Sequence, residues 1–148
     1  MYRLSAFVEV GGFDESYFMY VEDIDLGFRL QLCGHPCLLV SNAIVDHIGS
    51  AITGERSDFT VYHGHRNLVF NYVKNMPLPL LVGTLPIHII ANVWSIIVLT
   101  LRGHGRAIVR AKRDALKSMF RYISKRQPDH SFGTSRHIWR MLNKWGNP

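Results

Sequence analysis

The sequence predicts a mixed α/β unit over residues 1–75, then a hydrophobic segment and a basic amphipathic helix over 76–126, and finally a turn and short helix over 127–148. Three observations predict this division: strand and helix signals alternate in the first half, a long uncharged stretch follows, and the net charge changes sign between the halves. With 47% hydrophobic and 19% charged residues the chain has the composition of a folded protein. Its two cysteines exclude a disulfide framework.

Strand signals occur at two places in the first half. Tyr2–Val10 is predicted to form a strand that runs into a turn at Gly11-Gly12. Leu38–Val45 is predicted to form one or two short strands, with Asp46 and His47 at their end. These strands are the basis for the α/β prediction.

Helix signals lie between and after the predicted strands. Asp23–Cys33 is predicted to be a helix that stops at Gly34, a residue that readily takes the left-handed conformation after a C-terminal turn. Asp58–Lys74 is predicted to be a second helix, which ends before Met76-Pro77 because the residue before a proline disfavours the helical conformation. A short helix is predicted from Ser135 onwards.

The 27 residues of Asn75–Leu101 contain no Asp, Glu, Lys or Arg. This length exceeds the roughly 20 residues that a membrane-spanning helix requires. Clustered prolines argue against a simple crossing, because each removes a backbone hydrogen bond that lipid cannot replace. Several polar side chains in the stretch argue against it as well. We therefore expect a re-entrant or surface-lying element, with a buried core helix as the alternative. The interrupting residues are Pro77, Pro79, Pro86, His88, Asn92 and Ser95.

The segment Arg102–Arg126 carries nine basic residues and one acidic residue. Apolar residues recur in it at steps of three and four, which predicts an amphipathic helix lying in the headgroup region of the cytoplasmic leaflet. An ordinary helix packed on the domain is the alternative. The apolar residues are Ile108, Ala111, Ala115, Met119, Phe120 and Ile123.

The net charge of +6 is unevenly distributed. Residues 1–75 contain five basic and nine acidic side chains, whereas residues 76–148 contain twelve basic and two acidic ones. The basic residues are not interleaved with a zinc-finger spacing or an aromatic reading element, so no nucleic-acid partner is predicted. A membrane surface is the predicted partner of the basic half.

Three carboxylates, Glu22, Asp23 and Asp25, fall within four positions at the start of the first predicted helix. One acidic or hydroxyl side chain would satisfy the free amides of a helix start. Like charges this close repel one another, so a cation or substrate hydroxyls among them would make the arrangement favourable. The alternative is a solvated acidic helix start.

These residues are part of a longer ordered series. Over residues 9 to about 126 the chain resembles the C-terminal half of a bacterial family 2 glycosyltransferase of the GT-A type, the group of rhamnosyl- and galactofuranosyltransferases. The family pattern G-G-F-D-E, an aromatic run, E-D-x-D-L-x-x-R and later H-x-G-S and R-N elements is matched in order. The matching residues are Gly11, Gly12, Phe13, Asp14, Glu15, Phe18, Tyr20, Glu22, Asp23, Asp25, Leu26, Arg29, Gly34, His47, Gly49, Ser50, Arg66 and Asn67.

The resemblance implies an inverting transfer of a sugar from a nucleotide diphosphate sugar to a hydroxyl of a saccharide or lipid-linked saccharide, in cell-surface polysaccharide synthesis. It implies that Asp23 is the general base, since an alcohol is a poor nucleophile unless a carboxylate takes its proton. It also implies that His47 is a ligand of Mg²⁺ or Mn²⁺, which would stabilise the leaving diphosphate. The substrate-binding residues it implies are Gly12, Glu22, Asp25 and Arg66.

The resemblance does not include the nucleotide-binding half, which should precede Gly11. We therefore expect a fragment that is inactive alone, on the cytoplasmic face of the cell membrane, where nucleotide sugars are found. A membrane-surface interaction module without catalysis is the alternative function. It would use residues 76–126 and leave the carboxylates idle.

Overall fold

The computed structural model describes residues 1–38, 40–44, 57–126 and 132–144, with side chains in the last range described for 135–142. In this part of the chain all regular secondary structure is helical. The helices are α1 (Leu4–Glu9), a 3₁₀ turn (Glu15–Tyr17), α2 (Glu22–Leu32), α3 (Asp58–Asn75), α4 (Leu78–Leu99), α5 (Gly105–Ile123) and α6 (Phe132–Lys144).

The α/β prediction, and with it the GT-A fold class, is wrong for the described residues. The segment predicted as a strand over Tyr2–Val10 contains helix α1. Ala6 and Val10 are buried while Leu4 and Val8 are exposed, so burial follows the helical period instead of alternation. The described part of Leu38–Val45 likewise forms no strand. Without a neighbouring strand, the amides of α1 find their acceptors within the helix itself, as Val10 does at Ala6.

The predictions of helices α2 and α3 are confirmed. Helix α2 ends at Leu32, and Gly34 takes a φ of +82°, as expected for a residue that ends a helix. The hydroxyl of Ser57 caps α3 by accepting a hydrogen bond from the amide of Thr60 at 3.2 Å. The helix stops at Asn75, and the proline at position 77 follows.

The short helix α1 packs on α2. Ala6 and Val10 form an apolar cluster with Leu26 and Leu30. The guanidinium of Arg29, on the same side of α2, donates hydrogen bonds to the carbonyls of Val10 and Gly12. These contacts fix the glycine turn against α2.

Helices α3, α4 and α5 lie side by side. Apolar residues near the start of α3, the end of α4 and the start of α5 form one cluster around Val61 and Ile108. Tyr72, near the end of α3, donates a hydrogen bond to the carbonyl of Leu81 at the start of α4, so α4 runs antiparallel to α3. Gly103, with a φ of +89°, makes the kink between α4 and α5. Helix α5 therefore runs in the direction of α3.

The structure buries only some of the α5 residues that were predicted to form its apolar face. Ile108, Ala111 and Ala115 are buried, and Met119 packs against the cluster that contains α3 residues. For these residues the alternative of a helix packed on the domain is correct. Phe120 is 77% exposed, because it lies on the opposite, outward side of α5.

Helix α4 begins at Leu78 and includes two of the three prolines that were expected to interrupt this stretch. Pro79 is accommodated in the first turn, where its missing N–H is not needed, and Pro86 lies inside the helix. Within the described residues, the helical run Leu78–Ile123 is the one that is long and apolar enough to cross a membrane, and none of its most apolar window is buried.

The polar side chains of α4 lie on its inner side. Thr84 is within 3.0 Å of the Tyr72 hydroxyl, and the ring of His88 stacks on the Tyr72 ring at 3.7 Å. Asn92 and Ser95, one and two turns further along, line the same groove towards α3 and α5 as His88. The large apolar side chains of α4 are exposed instead: Ile87 by 70%, Ile90 by 68% and Trp94 by 66%.

Candidate functional site

The loop that leads into the carboxylate motif is strained. Phe18, Tyr20 and Val21 have φ values of +66°, +67° and +71°, a backbone region that residues other than glycine rarely adopt. Each such residue costs on the order of 1–2 kcal/mol. The strained residues end where α2 begins, at Glu22.

Asn67 holds this loop from α3. Its carboxamide nitrogen donates to the carbonyl oxygens of Tyr17, Met19 and Tyr20 at 2.9, 2.8 and 2.9 Å. The side chain of Asn67 is fully buried. Asn67 thus ties three carbonyls of the loop that presents Glu22 and Asp23 to α3.

Arg66, predicted to bind substrate, is placed beside Asn67. Its Nη2 donates to the carbonyl of Tyr17 at 3.2 Å and its Nε to Oδ1 of Asn67 at 3.0 Å. The guanidinium also lies 5.2 Å from the ring centre of Tyr62 and 5.4 Å from that of Phe70. These contacts support the same loop.

Asp25 is the centre of a buried polar network. The residue is fully buried, and its carboxylate accepts hydrogen bonds from the Tyr17 hydroxyl at 3.1 Å, Arg29 Nε at 2.9 Å and Asn75 Nδ2 at 2.7 Å. Lys74 Nζ lies 2.8 Å away. Both oxygens of the Asp25 carboxylate are therefore bonded to donors of the protein, which leaves no free oxygen for a ligand.

Asp14 extends the network towards the surface. Its carboxylate pairs with Lys74 at 2.8 Å and with Lys125 at 2.8 Å. Burial raises the pKa of Asp14, but hydrogen bonds from Lys125, Lys74 and Ser16 outweigh that effect and hold the pKa well below its usual range. Asp14 is therefore a carboxylate at all ordinary pH values.

Gly12, also predicted to bind substrate, has a structural constraint of its own. Its φ is +67°, and a Cβ at this position would lie 3.1 Å from the ring of Phe7. Its carbonyl accepts a hydrogen bond from Arg29 Nη2 at 2.6 Å. Arg29 thereby joins Gly12 to the carboxylate of Asp25, so these two predicted residues belong to one network.

Asp23 is in different surroundings from Asp25, although only one residue separates them. Asp23 is exposed, and its Oδ1 accepts a hydrogen bond from the amide of Ile24 at 2.8 Å. It lines a cleft of about 630 Å³ together with Tyr2, Arg3 and His35. An exposed carboxylate at a cleft is available to take a proton from a bound hydroxyl.

Glu22 lies at the first position of α2 and is half-buried. Its Oε2 is buried and has no hydrogen-bond partner among the described residues. A buried carboxylate oxygen without a donor is costly, so a ligand hydroxyl at this position would satisfy it.

The predicted metal site cannot be assembled from the described residues. His47 lies outside them, and the described residues contain no group of three or more His, Cys, Asp or Glu side chains that could hold a metal ion. Asp25 is already surrounded by cations and amide donors. The described donor set therefore does not fit Mg²⁺ or Mn²⁺, and metal binding by His47 stays a prediction.

Four residues of the network were not predicted from the sequence. They come from three distant parts of the chain, and their convergence depends on the packing of α3 against α2 and α5, which no local pattern reveals. One signal was available: Asp25 and Arg29 are spaced i,i+4 on the face that also carries the buried Leu26 and Leu30. The missed residues are Tyr17, Lys74, Asn75 and Lys125.

Comparison with known proteins gives a partial likeness. Over 52 residues, 35% of this chain, it is 54% identical to the N-acetylglucosaminyl-diphospho-decaprenol L-rhamnosyltransferase of two strains of Mycobacterium tuberculosis. Over 32 residues, 22% of this chain, it is 66% identical to the rhamnosyltransferase WbbL of Escherichia coli K12. The chain is similar to rhamnosyltransferases over this stretch.

The likeness covers a small part of the relatives. The matched stretch is 17% of the Mycobacterium protein and 12% of the Escherichia coli protein. No protein-family model matches the chain, and no solved structure matches it. The likeness therefore supports a glycosyltransferase function, and it does not specify the mechanism of transfer.

Proposed function

We propose that this chain is part of an inverting glycosyltransferase that moves a sugar from a nucleotide diphosphate sugar to an acceptor hydroxyl in cell-surface polysaccharide synthesis. The observation that carries the proposal is the 54% identity over 52 residues to a rhamnosyltransferase. The exposed Asp23 beside a cleft supports it, because that is the group the reaction needs. The name of the Mycobacterium relative gives its acceptor as a saccharide on a lipid diphosphate, and we propose an acceptor of that class here.

In the proposed reaction Asp23 acts on the acceptor. As the acceptor oxygen attacks the anomeric carbon, its proton moves to the Asp23 carboxylate and the nucleotide diphosphate leaves from the opposite face of the sugar. Inversion follows from this single displacement. The hydroxyls of the acceptor would bind near Glu22, whose buried Oε2 lacks a donor.

We assign Asp25, Gly12 and Arg66 to positioning. The carboxylate of Asp25 is enclosed by protein donors, and the guanidinium of Arg66 contacts the strained loop. Gly12 is held through Arg29. These residues would fix the start of α2, so that Asp23 faces the cleft in one orientation.

We further propose that the protein lies on the cytoplasmic face of a membrane. The polar residues of α4 face the protein and its apolar residues face outward, the reverse of a soluble surface helix. Helix α4 contacts α3 at its start, through Leu81, and the cluster of α3 and α5 residues at its end. A crossing α4 would therefore carry charged residues of α3 and α5 into hydrocarbon, which favours a surface-lying arrangement. The outward side of α5 adds four exposed apolar residues beside cations. The apolar residues are Val109, Leu116, Phe120 and Ile123, and the cations include Arg106, Arg110, Arg113 and Arg121.

The experiment that tests the transfer is done on an enzyme that joins this chain to a nucleotide-binding half. Release of the nucleotide diphosphate is measured with and without a saccharide acceptor. Acceptor-dependent release with an inverted anomeric configuration in the product supports the proposal. A retained configuration, or release that does not depend on the acceptor, contradicts it.

A membrane-surface module without catalysis is the second candidate, favoured by the exposed apolar side of α4. The two functions differ in their dependence on Asp23. If the chain serves only membrane binding, replacement of Asp23 leaves membrane binding unchanged, and there is no transfer activity to lose. If the chain serves transfer, the same replacement removes transfer and leaves membrane binding intact.

A further inference from the structure

A groove with a few polar side chains lies between α3, α4 and α5, on the inner side of α4, and Phe28 of α2 also lines it. Its volume is about 330 Å³. Lys112 on α5 and His65 on α3 line it opposite the polar residues of α4, and the exposed Ala91 and Leu68 lie at its rim. The further lining residues that matter here are Asn71, His88, Asn92 and Ser95.

Among the described residues, no carboxylate pairs with Lys112 in this groove. The hydrogen bond that its Nζ makes is to the backbone carbonyl of His65 at 3.2 Å, and no carboxylate in the described part of the chain lies within ion-pair distance. Burial lowers the pKa of Lys112 to about 8, and no opposing charge raises it. A half-buried ammonium without a carboxylate partner costs stability.

His88 adds a second unsatisfied group to the same groove. Its Nε2 is buried and has no hydrogen-bond partner among the described residues, while its ring stacks on Tyr72. Buried polar groups are nearly always hydrogen-bonded, so an atom of this kind calls for a partner from outside the chain. Asn92, one turn along α4, brings a carboxamide to the same groove.

We propose that this groove binds the phosphate end of a lipid, with Lys112 as the cation and His88 as a hydrogen-bond donor. An anionic oxygen cluster would supply both the missing counter-charge and the missing acceptor. The lipid source follows from the position of the groove, because its α4 wall carries the exposed apolar side chains of Ile87, Ile90 and Trp94 on the reverse side. A free phosphate ion would gain nothing from that apolar surface.

The inference goes beyond the proposed function, since the groove and the cleft at Asp23 share no lining residue, and its test needs no sugar transfer. Binding is measured for the full chain in dodecyl maltoside micelles, which contain no phosphate. The probes are farnesyl diphosphate, farnesol and inorganic pyrophosphate. Resonances of the His65 and His88 rings report whether the ligand occupies the groove. A failure of transfer with intact binding would count against the proposed function alone.

The variants are Lys112→Gln and, as a matched control, Lys117→Gln, an exposed lysine on the same helix. We expect farnesyl diphosphate to bind more tightly than either other probe, to shift both histidine rings, and to lose about tenfold in affinity with Lys112→Gln. Lys117→Gln should change affinity by less than about twofold in these uncharged micelles. Equal losses in the two variants, equal binding of farnesol, equal binding of pyrophosphate, or unshifted histidine rings would each overturn the proposal.

Discussion

Asp25 on α2 and Lys74 on α3 form an ion pair at 2.8 Å, with side chains that are 0% and 5% exposed. The pair joins the helix that carries Asp23 to the helix that carries Asn67. Because Arg29, Asn75 and the Tyr17 hydroxyl also bond to Asp25, the carboxylate balances two buried cations. This network is what sets the position of α2.

Replacement of Asp25 by Asn should destabilise the protein strongly. The substitution keeps the shape of the side chain and removes the charge that Arg29 and Lys74 need, and breaking a buried pair in this way costs about 3–5 kcal/mol. Urea unfolding followed by circular dichroism measures the effect. Asp23→Asn, at an exposed site on the same helix, is the control and should change the free energy of unfolding by less than about 0.5 kcal/mol. Equal effects of the two variants would show that the Asp25 network does not support the fold.

Replacement of Asn67 by Ala should release the strained loop before α2. The carbonyls of Met19 and Tyr20 lose this donor, the Tyr17 carbonyl keeps its hydrogen bond from Arg66, and the expected cost is about 2–3 kcal/mol. Hydrogen exchange of residues 17–22 should speed up more than that of α5. Leu68→Ala, at the next position on α3 and 43% exposed, is the control. Unchanged exchange of the loop in Asn67→Ala would mean that other contacts fix its conformation.

Replacement of Lys112 by Met should stabilise the free protein at neutral pH. The pKa of Lys112 is lowered to about 8 from the ordinary 10.5, so between these values the unfolded chain binds more protons and the wild type gains stability as pH rises. The variant lacks this titration, so its advantage should be full below pH 8 and fade towards pH 10.5. We expect about 1 kcal/mol, because part of the side chain still contacts water. A stability difference that is constant across this pH range would contradict the burial of the charge.

Replacement of Ile90 by Glu should weaken membrane binding. Ile90 is 68% exposed on the outward side of α4, and a charge there would have to enter the lipid boundary, so we expect about tenfold weaker partition into vesicles. Val8→Glu, with the same chemical change at a site that is 67% exposed on α1, is the control. The wild type should fractionate with membranes and be partly released by high salt or alkaline carbonate. Periplasmic-only protease access to Trp139–Leu142 would instead show that the chain crosses the membrane.

The sequence predicted those elements whose signals are local. Helices α2 and α3 have clear ends, at Gly34 and before Pro77, and α5 has a long apolar period. Helix α1 was mistaken for a strand because, over nine residues, apolar positions satisfy the alternating and the helical period alike. Only the neighbouring α2, which buries Ala6 and Val10, decides between them.

The candidate site was predictable in its residue types but only partly in their roles. Charge clustering drew attention to Glu22, Asp23 and Asp25 together. Asp23 is exposed and Asp25 is fully buried. The burial of Asp25 depends on Lys74, which lies about 50 residues away along the chain and approaches only when α3 packs on α2. Charge counts along the chain hold no information on such a contact.

The role of Asp23 as general base is tested by sugar transfer in an enzyme that contains this chain and a nucleotide-binding half, with Asp23 replaced by Asn. The variant keeps the fold because Asp23 is exposed. With Asp58→Asn, another exposed carboxylate at a helix start, transfer should stay within about twofold of the wild type. With Asp23→Asn we expect a loss of about 10²- to 10⁴-fold, the usual contribution of a general base. Transfer by the Asp23→Asn enzyme within about tenfold of the wild type would contradict this role.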